Sequence, residues 1–121
     1  MSSPAGTTPG LADLPRAIQE RDAAAQAALF ADDAVLTTID AEHGPSNPLV
    51  LHGRSAIAES LADICARDMT HEVTFFAHDD DLASVGVTCR YPDGVRVQCI
   101  GTMRLRDSKI VEQTTLQAWD S

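Results

Sequence analysis

From Thr70 onward the sequence consists of four runs of alternating or β-branched character, THEVTFFAHDD, LASVGVTCRY, VRVQCIGTMRLR and KIVEQTTLQAW, separated only by short polar links. Asp79-Asp80-Asp81, Pro92-Asp93-Gly94 and Asp107-Ser108 are turn-forming combinations. Links this short join only antiparallel neighbours, so this half of the chain has to be a four-strand meander. The apolar face of such a sheet must be buried under another layer. The helical patterns that could supply that layer all precede it.

Leu11, Leu14 and Ile18 fall at helical spacing, and Pro15 suits a first turn, where its missing N–H is no loss. Asp22 is a natural N-cap for a second short helix, AAAQAALF, which Asp32 and Asp33 are expected to end. A strand, AVLTTID, follows; then come a loop with Pro45 and Pro48 and a short strand, PLVLHG. In RSAIAESLADICARDM, residues Ile57, Leu61, Ile64 and Cys65 form the stripe of an amphipathic helix. The predicted order is α-α-β-β-α-β-β-β-β, an α+β fold with helices on one face of a curved sheet. Residues 11–121 make one domain; residues 1–10, small, polar and Pro/Gly-rich, are expected to be a disordered tail.

Charge and composition exclude several functions. With 18 acidic against 9 basic residues and a net charge of −9, the chain repels polyanions, so neither nucleic acid nor an anionic membrane surface is an expected partner. There is no apolar run of the roughly 20 residues a membrane span needs and no secretory leader pattern, so a cytoplasmic location is expected. Cys65, Cys89 and Cys99 are an odd number, which favours reduced, buried thiols. No His or Cys pair has metal-ligand spacing, and in HEVTF Phe75 stands where a zinc-protease motif needs its second histidine. No metal and no cofactor is expected. Cys99 has no basic partner visible in sequence, and neither Gly-x-Ser-x-Gly nor a phosphate loop occurs, so nucleophilic catalysis is not indicated.

The helix pair ending in ALFADDAV, the short strand ending LHGRSAI that launches a helix, and the closing LRDSKIVEQTTLQAW together resemble the nuclear transport factor 2-like superfamily, nearest its SnoaL-like and ketosteroid-isomerase-like branch. The resemblance covers residues 11 to 120 and implies a cone: a strongly curved antiparallel sheet wrapped around three helices, with a pocket between them and pairing into dimers through the outer face. Val95, Ile100 and Leu116 are read as apolar residues on that face. In the steroid-isomerase branch a first-strand carboxylate moves the proton, while a helix-one tyrosine and a protonated carboxylate on a later strand hold the oxyanion. The matching positions here are Thr38, Leu14 and Gly101, so all three chemical groups are missing.

With Thr38 facing the pocket, alternation turns Leu36 and Asp40 inward as well. Asp40 is then either a base whose pKa rises in a partly apolar pocket or the first residue of a solvated turn. On the last strand Gln113, Thr115, Gln117 and Trp119 share a face, either the pocket's or an interface's. Val97, Cys99, Gly101, Met103 and Leu105 alternate inward, with Cys99 and Met103 placed against a ligand. His71, on one face with Val73 and Phe75, is either a proton carrier or a strand-end residue; His78 should face the other way, and His52 is structural. Tyr91 is either a donor at the pocket mouth or a hairpin-flanking aromatic.

Two functions compete. One is a cofactor-free isomerase, cyclase or hydrolase-type enzyme acting on a small hydrophobic carbonyl compound, with Asp40 or His71 as base. The other is a noncatalytic ligand-binding or dimerisation module. A cavity of at least about 300 Å³ reached by Asp40 or His71 favours the first; one filled by Met103, Phe75 and Trp119 favours the second.

Overall fold

The structure is a computed structural model and describes residues 10–120. Apart from Gly10, the expected tail lies outside the described residues. A single 3₁₀ turn, Leu11–Asp13, leads into α1 (Leu14–Gln19) and then α2 (Ala23–Ala27), whose N-cap Asp22 accepts the Ala25 N–H at 3.0 Å. β1 (Phe30–Ile39) and β2 (Leu49–His52) precede α3 (Arg54–Ala66). The meander is β3 (Thr70–His78), β4 (Leu82–Arg90), β5 (Arg96–Arg106) and β6 (Lys109–Trp119). The predicted order of elements and the α+β class are what the structure has.

The six strands form one curved sheet in the order β2-β1-β6-β5-β4-β3. Every pairing is antiparallel except β1 with β6, so the sheet is mixed rather than wholly antiparallel as expected. Its inner face and the helices bury Leu11, Leu14, Leu29, Phe30, Ile57 and Ile110, among others. Ile57 is the fully buried residue of α3, and Leu61 and Ile64 pack against the core beside it.

Asp32 and Asp33 do not end α2. The helix stops at Ala27, and both aspartates lie inside β1, exposed, where the register against β6 shifts between Phe30 and Val35. The chain leaves the helix because Leu29 and Phe30 turn into the core. The carbonyls released there are satisfied from β6, with Lys109 Nζ on Ala28 O at 2.7 Å and Ile110 N on Leu29 O at 2.8 Å. Asp32 pairs with Arg54, and Asp33 with Arg106.

A second irregularity, in β3, changes which side chains face inward. Val73 pairs with Val87, but Phe75 pairs with Gly86, leaving Thr74 as an extra residue. Phe75 therefore crosses to the outer face, 46% exposed, with its ring in the space a side chain at Gly86 would need. Phe76 takes the inner face opposite Val85, and His78 follows it, its ring 5.3 Å from that of Phe76. The expected grouping of His71 with Phe75, and of His78 with the opposite face, fails for this one reason. Ile100 and Leu116 do lie on the outer face as a cross-strand pair, whereas Val95 is half-buried before β5 begins.

Candidate functional site

Paired residues in a sheet share a face, so the inner face can be followed row by row. The outermost row is His71, Cys89, Val97 and Trp119; the next is Val73, Val87, Cys99 and Gln117. A third holds Val85, Gly101, Thr115, Thr38 and Leu49. A fourth, Ala83, Met103, Gln113, Leu36 and Leu51, runs under the helices. Because β1 runs parallel to β6, the ends of β1, β4 and β6 and the starts of β3 and β5 meet at one open end of the sheet.

The first three rows apart from Val73, with Ile18, Gln26 and the C-terminal half of α3, line a cavity of about 450 Å³. Asp40, His71, Thr38, Tyr91, Cys99, Gln113, Gln117 and Trp119 all line it. Leu36 and Met103, proposed as ligand contacts, do not: they belong to the fourth row and are buried in the core. Gln113 stands in that row but reaches back, donating from Nε2 to Thr115 Oγ1 at 3.1 Å. Gly101 widens the cavity; a Cβ there would lie 3.2 Å from Gln113 Nε2 and 3.4 Å from Val85 Cγ1. Leu14 is core and takes no part.

Asp40 is the turn residue of the two alternatives, and it faces the cavity as well. It opens the 40–48 loop as a turn residue, its Oδ1 accepting the N–H of Glu42 at 2.9 Å and of His43 at 2.8 Å, and it also lines the cavity. His43, which the sequence reading did not weigh, folds back so that Nδ1 lies 2.9 Å from the same Oδ1. Desolvation pulls the carboxyl's pKa upward, but the His43 imidazole and the two backbone N–H groups outweigh it and hold the group below its ordinary value. The expected rise is thus a fall. In a neutral His43 an ionised Asp40 favours the ring proton on Nδ1, and Nε2 of this cavity residue has no hydrogen-bond partner among the described residues. The one hint in the sequence is the i,i+3 spacing of Asp40 and His43 just after a strand.

On the opposite wall His71 and Cys89 are direct cross-strand partners, with Sγ 3.4 Å from Nδ1. The Cys89 thiol is drawn down to about 5, chiefly by the neighbouring Cys99 thiol and then by His71, against the opposing effect of burial. Cys99 is pushed up as the partner that keeps its proton. Burial also raises Cys65, a third cavity thiol. At the mouth Tyr91 and Trp119 stack with centroids 6.0 Å apart, Trp119 Nε1 donates to Gln117 Oε1 at 3.0 Å, and Arg67 reaches Tyr91 Oη at 3.4 Å. Among the described residues no group of three His, Cys, Asp or Glu side chains could hold a metal ion.

Comparison with known proteins accords with this fold. The family model of the SnoaL-like domain matches residues 11–113. An NTF2-like protein of unknown function from Mesorhizobium loti superposes with a TM-score of 0.77 at 20% identity, over 89% of this chain and 87% of that one. A protein with a cystatin-like fold from Silicibacter pomeroyi gives 0.72 at 14% identity, over 93% and 76%. SalBIII, an epoxide hydrolase/cyclase-like enzyme of pyran ring formation in the polyether salinomycin, gives 0.66 at 19% identity, over 89% and 87%. A search of curated proteins gives no match.

Proposed function

The chain belongs to the SnoaL-like domain family, within the nuclear transport factor 2-like superfamily, and we propose that its cavity carries cofactor-free proton transfer on a small hydrophobic carbonyl compound. His43 is the base and Asp40 the carboxylate that positions it and fixes its tautomer. The observation that carries this reading is the Asp40–His43 pair on the wall of a cavity of about 450 Å³, large enough for a small ligand. Val85, Val87 and Val97 supply an apolar wall, while Gln117, Thr115 and Tyr91 supply polar groups to orient a carbonyl oxygen. His71, the other candidate base, has its Nδ1 turned to Cys89, which makes it the weaker choice.

The chemistry would be of the isomerase, cyclase or hydrolase type: abstraction of a proton beside a carbonyl, or from an attacking hydroxyl, by His43 Nε2. A second reading, a noncatalytic binder, is favoured by Thr38, Leu14 and Gly101 at the positions where the steroid-isomerase branch keeps its acids and tyrosine. We further propose a homodimer through the outer face, supported by the exposed row of Phe75, Ile100 and Leu116. A cytoplasmic location is supported by three free thiols; no helix among the described residues is long and apolar enough to cross a membrane.

A thermal-shift screen of small ketones, lactones and steroids tests the reading, since a ligand at 100 times its Kd adds about 2.7 kcal/mol. Stabilising compounds are then incubated with the protein and their turnover followed. Stabilisation with turnover lost in His43→Gln is the expected result. Stabilisation without turnover leaves the binder, and no stabilisation by any compound removes both.

A further inference from the structure

The wall opposite His43 holds a second reactive constellation. Cys89 and His71 face each other across β4 and β3, Sγ to Nδ1 3.4 Å, within the range of a sulfur hydrogen bond. His71 Nε2 is buried without a partner among the described residues, so the thiol is the ring's one polar contact. Cys99 lies one row further in on the neighbouring strand, diagonal to Cys89 on the same face. Both cysteines are free and both line the cavity. A structural thiol has no need of an imidazole, and an adjacent imidazole is one of the settings that activate a nucleophilic one.

We propose that Cys89 is a nucleophilic thiol activated by His71, and that the cavity takes α,β-unsaturated carbonyl compounds as covalent adducts at its sulfur. His71 Nδ1 takes the thiol proton, and the thiolate forms a bond to the β-carbon. The π pair of the C=C bond moves toward the carbonyl, and the resulting enolate takes the proton back from His71 at its α-carbon. The product is a thioether containing all atoms of both reactants, with no leaving group, water or oxidant required, and the reverse sequence releases the ligand. The valine wall suits the hydrocarbon part, and Gln117 and Tyr91 lie at the same end as the sulfur to meet the carbonyl oxygen. A soft thiolate nucleophile is better matched to this addition than to ester hydrolysis.

The low thiol pKa given above accords with this geometry. The other titratable groups around the cavity are Cys65 and Arg67 from α3 and its end, Tyr91 after β4, and Asp40, Glu42 and His43 after β1. At pH 6 a thiol near 5 is nearly all ionised, against about 0.3% for an ordinary one near 8.5. Its weaker intrinsic nucleophilicity returns about 30-fold of that advantage, leaving a net rate gain of about tenfold.

The test uses the full chain. Iodoacetamide at limiting dose from pH 6 to 8, followed by peptide mapping, should mark Cys89 before Cys65 and Cys99. At pH 6 its rate should be about tenfold that of an ordinary thiol, and nearly flat with pH. 2-Cyclohexen-1-one should add its whole mass at the same residue. His71→Gln should slow Cys89 labelling at pH 6 and move its rise to higher pH, with Cys99 still holding the thiol below an ordinary one. Labelling first at Cys65 or Cys99 overturns the proposal, as does a Cys89 rate that climbs tenfold per pH unit through pH 8, or one indifferent to His71→Gln. The acid–base reading stands or falls separately: Cys89 labelling in His43→Gln should follow the wild type even where turnover is lost.

Discussion

His43 Nδ1 lies 2.9 Å from Asp40 Oδ1, and the same oxygen also accepts the backbone N–H groups of Glu42 and His43. Three donors on one oxygen make Asp40 a structural acceptor as well as a cavity residue. Asp40→Asn should therefore destabilise the fold, by about 1–2 kcal/mol at pH 7. With the folded-state pKa below the unfolded value of about 3.9, this stabilisation is present above that pH and is lost as pH falls through the folded pKa. Urea denaturation of both proteins should show the gap closing below about pH 4; equal midpoints at pH 7 would contradict it.

For any substrate the screen identifies, His43→Gln should lower kcat by about 10² to 10⁴ and leave KM nearly unchanged, the effect of losing a general base. Steady-state kinetics decide it. A larger loss in His71→Gln would move the proton transfer to the other wall.

Gly101 sits in the third row, where an added Cβ would touch Val85 Cγ1 at 3.4 Å and, at 3.2 Å from Gln113 Nε2, push that flexible side chain aside by a few tenths of an ångström. Gly101→Leu should fill the middle of the cavity and abolish the thermal shift given by ligands, while circular dichroism stays that of the wild type. Retained ligand stabilisation would place binding elsewhere.

Ile100 and Leu116 are paired on the outer face at 41% and 48% exposure. If that face joins two copies, Leu116→Glu should convert a dimeric mass of about twice 12.9 kDa to the monomeric one in light scattering at micromolar concentration. A monomeric wild-type protein would refute the dimer directly.

The protein should not isomerise a Δ5-3-ketosteroid usefully, whatever its fold. Thr38 is far too weak a base, Leu14 lies in the core, and Gly101 has no donor. Removing one oxyanion donor alone costs on the order of 10² to 10³ in rate. Incubation with 5-androstene-3,17-dione, followed by enone absorbance, should show turnover well below one per second.

What was legible in the sequence was whatever repeats with a short period. Alternation in KIVEQTTLQAW grouped Gln117 with Trp119 on one face without saying which, in VRVQCIGTMRLR it turned Cys99 inward, and the turn residues set the strand ends. Alternation says nothing about an extra residue. The single bulge at Thr74 moved Phe75 outward and His78 inward, and the register shift in β1 absorbed Asp32 and Asp33 into a strand. Depth along a strand was equally hidden: Leu36 and Met103 face the right way but lie one row too far under the helices. The His71–Cys89 pair joins residues 18 apart, and only strand register brings them together.

The parallel pairing of β1 with β6 also has a consequence in time. β1 can form a hairpin with β2 as soon as residues 30–52 exist, but its other edge stays open until residues 109–119 have been made. Until then, the wall carrying Thr38 and the wall carrying Cys89 and Cys99 are separate pieces of chain. Such non-local pairing slows folding, because the closure of a long loop precedes any reward from it. A nascent chain stalled anywhere before β6 would hold an unpaired apolar edge and no cavity at all, which makes the last strand the step that commits the whole domain at once.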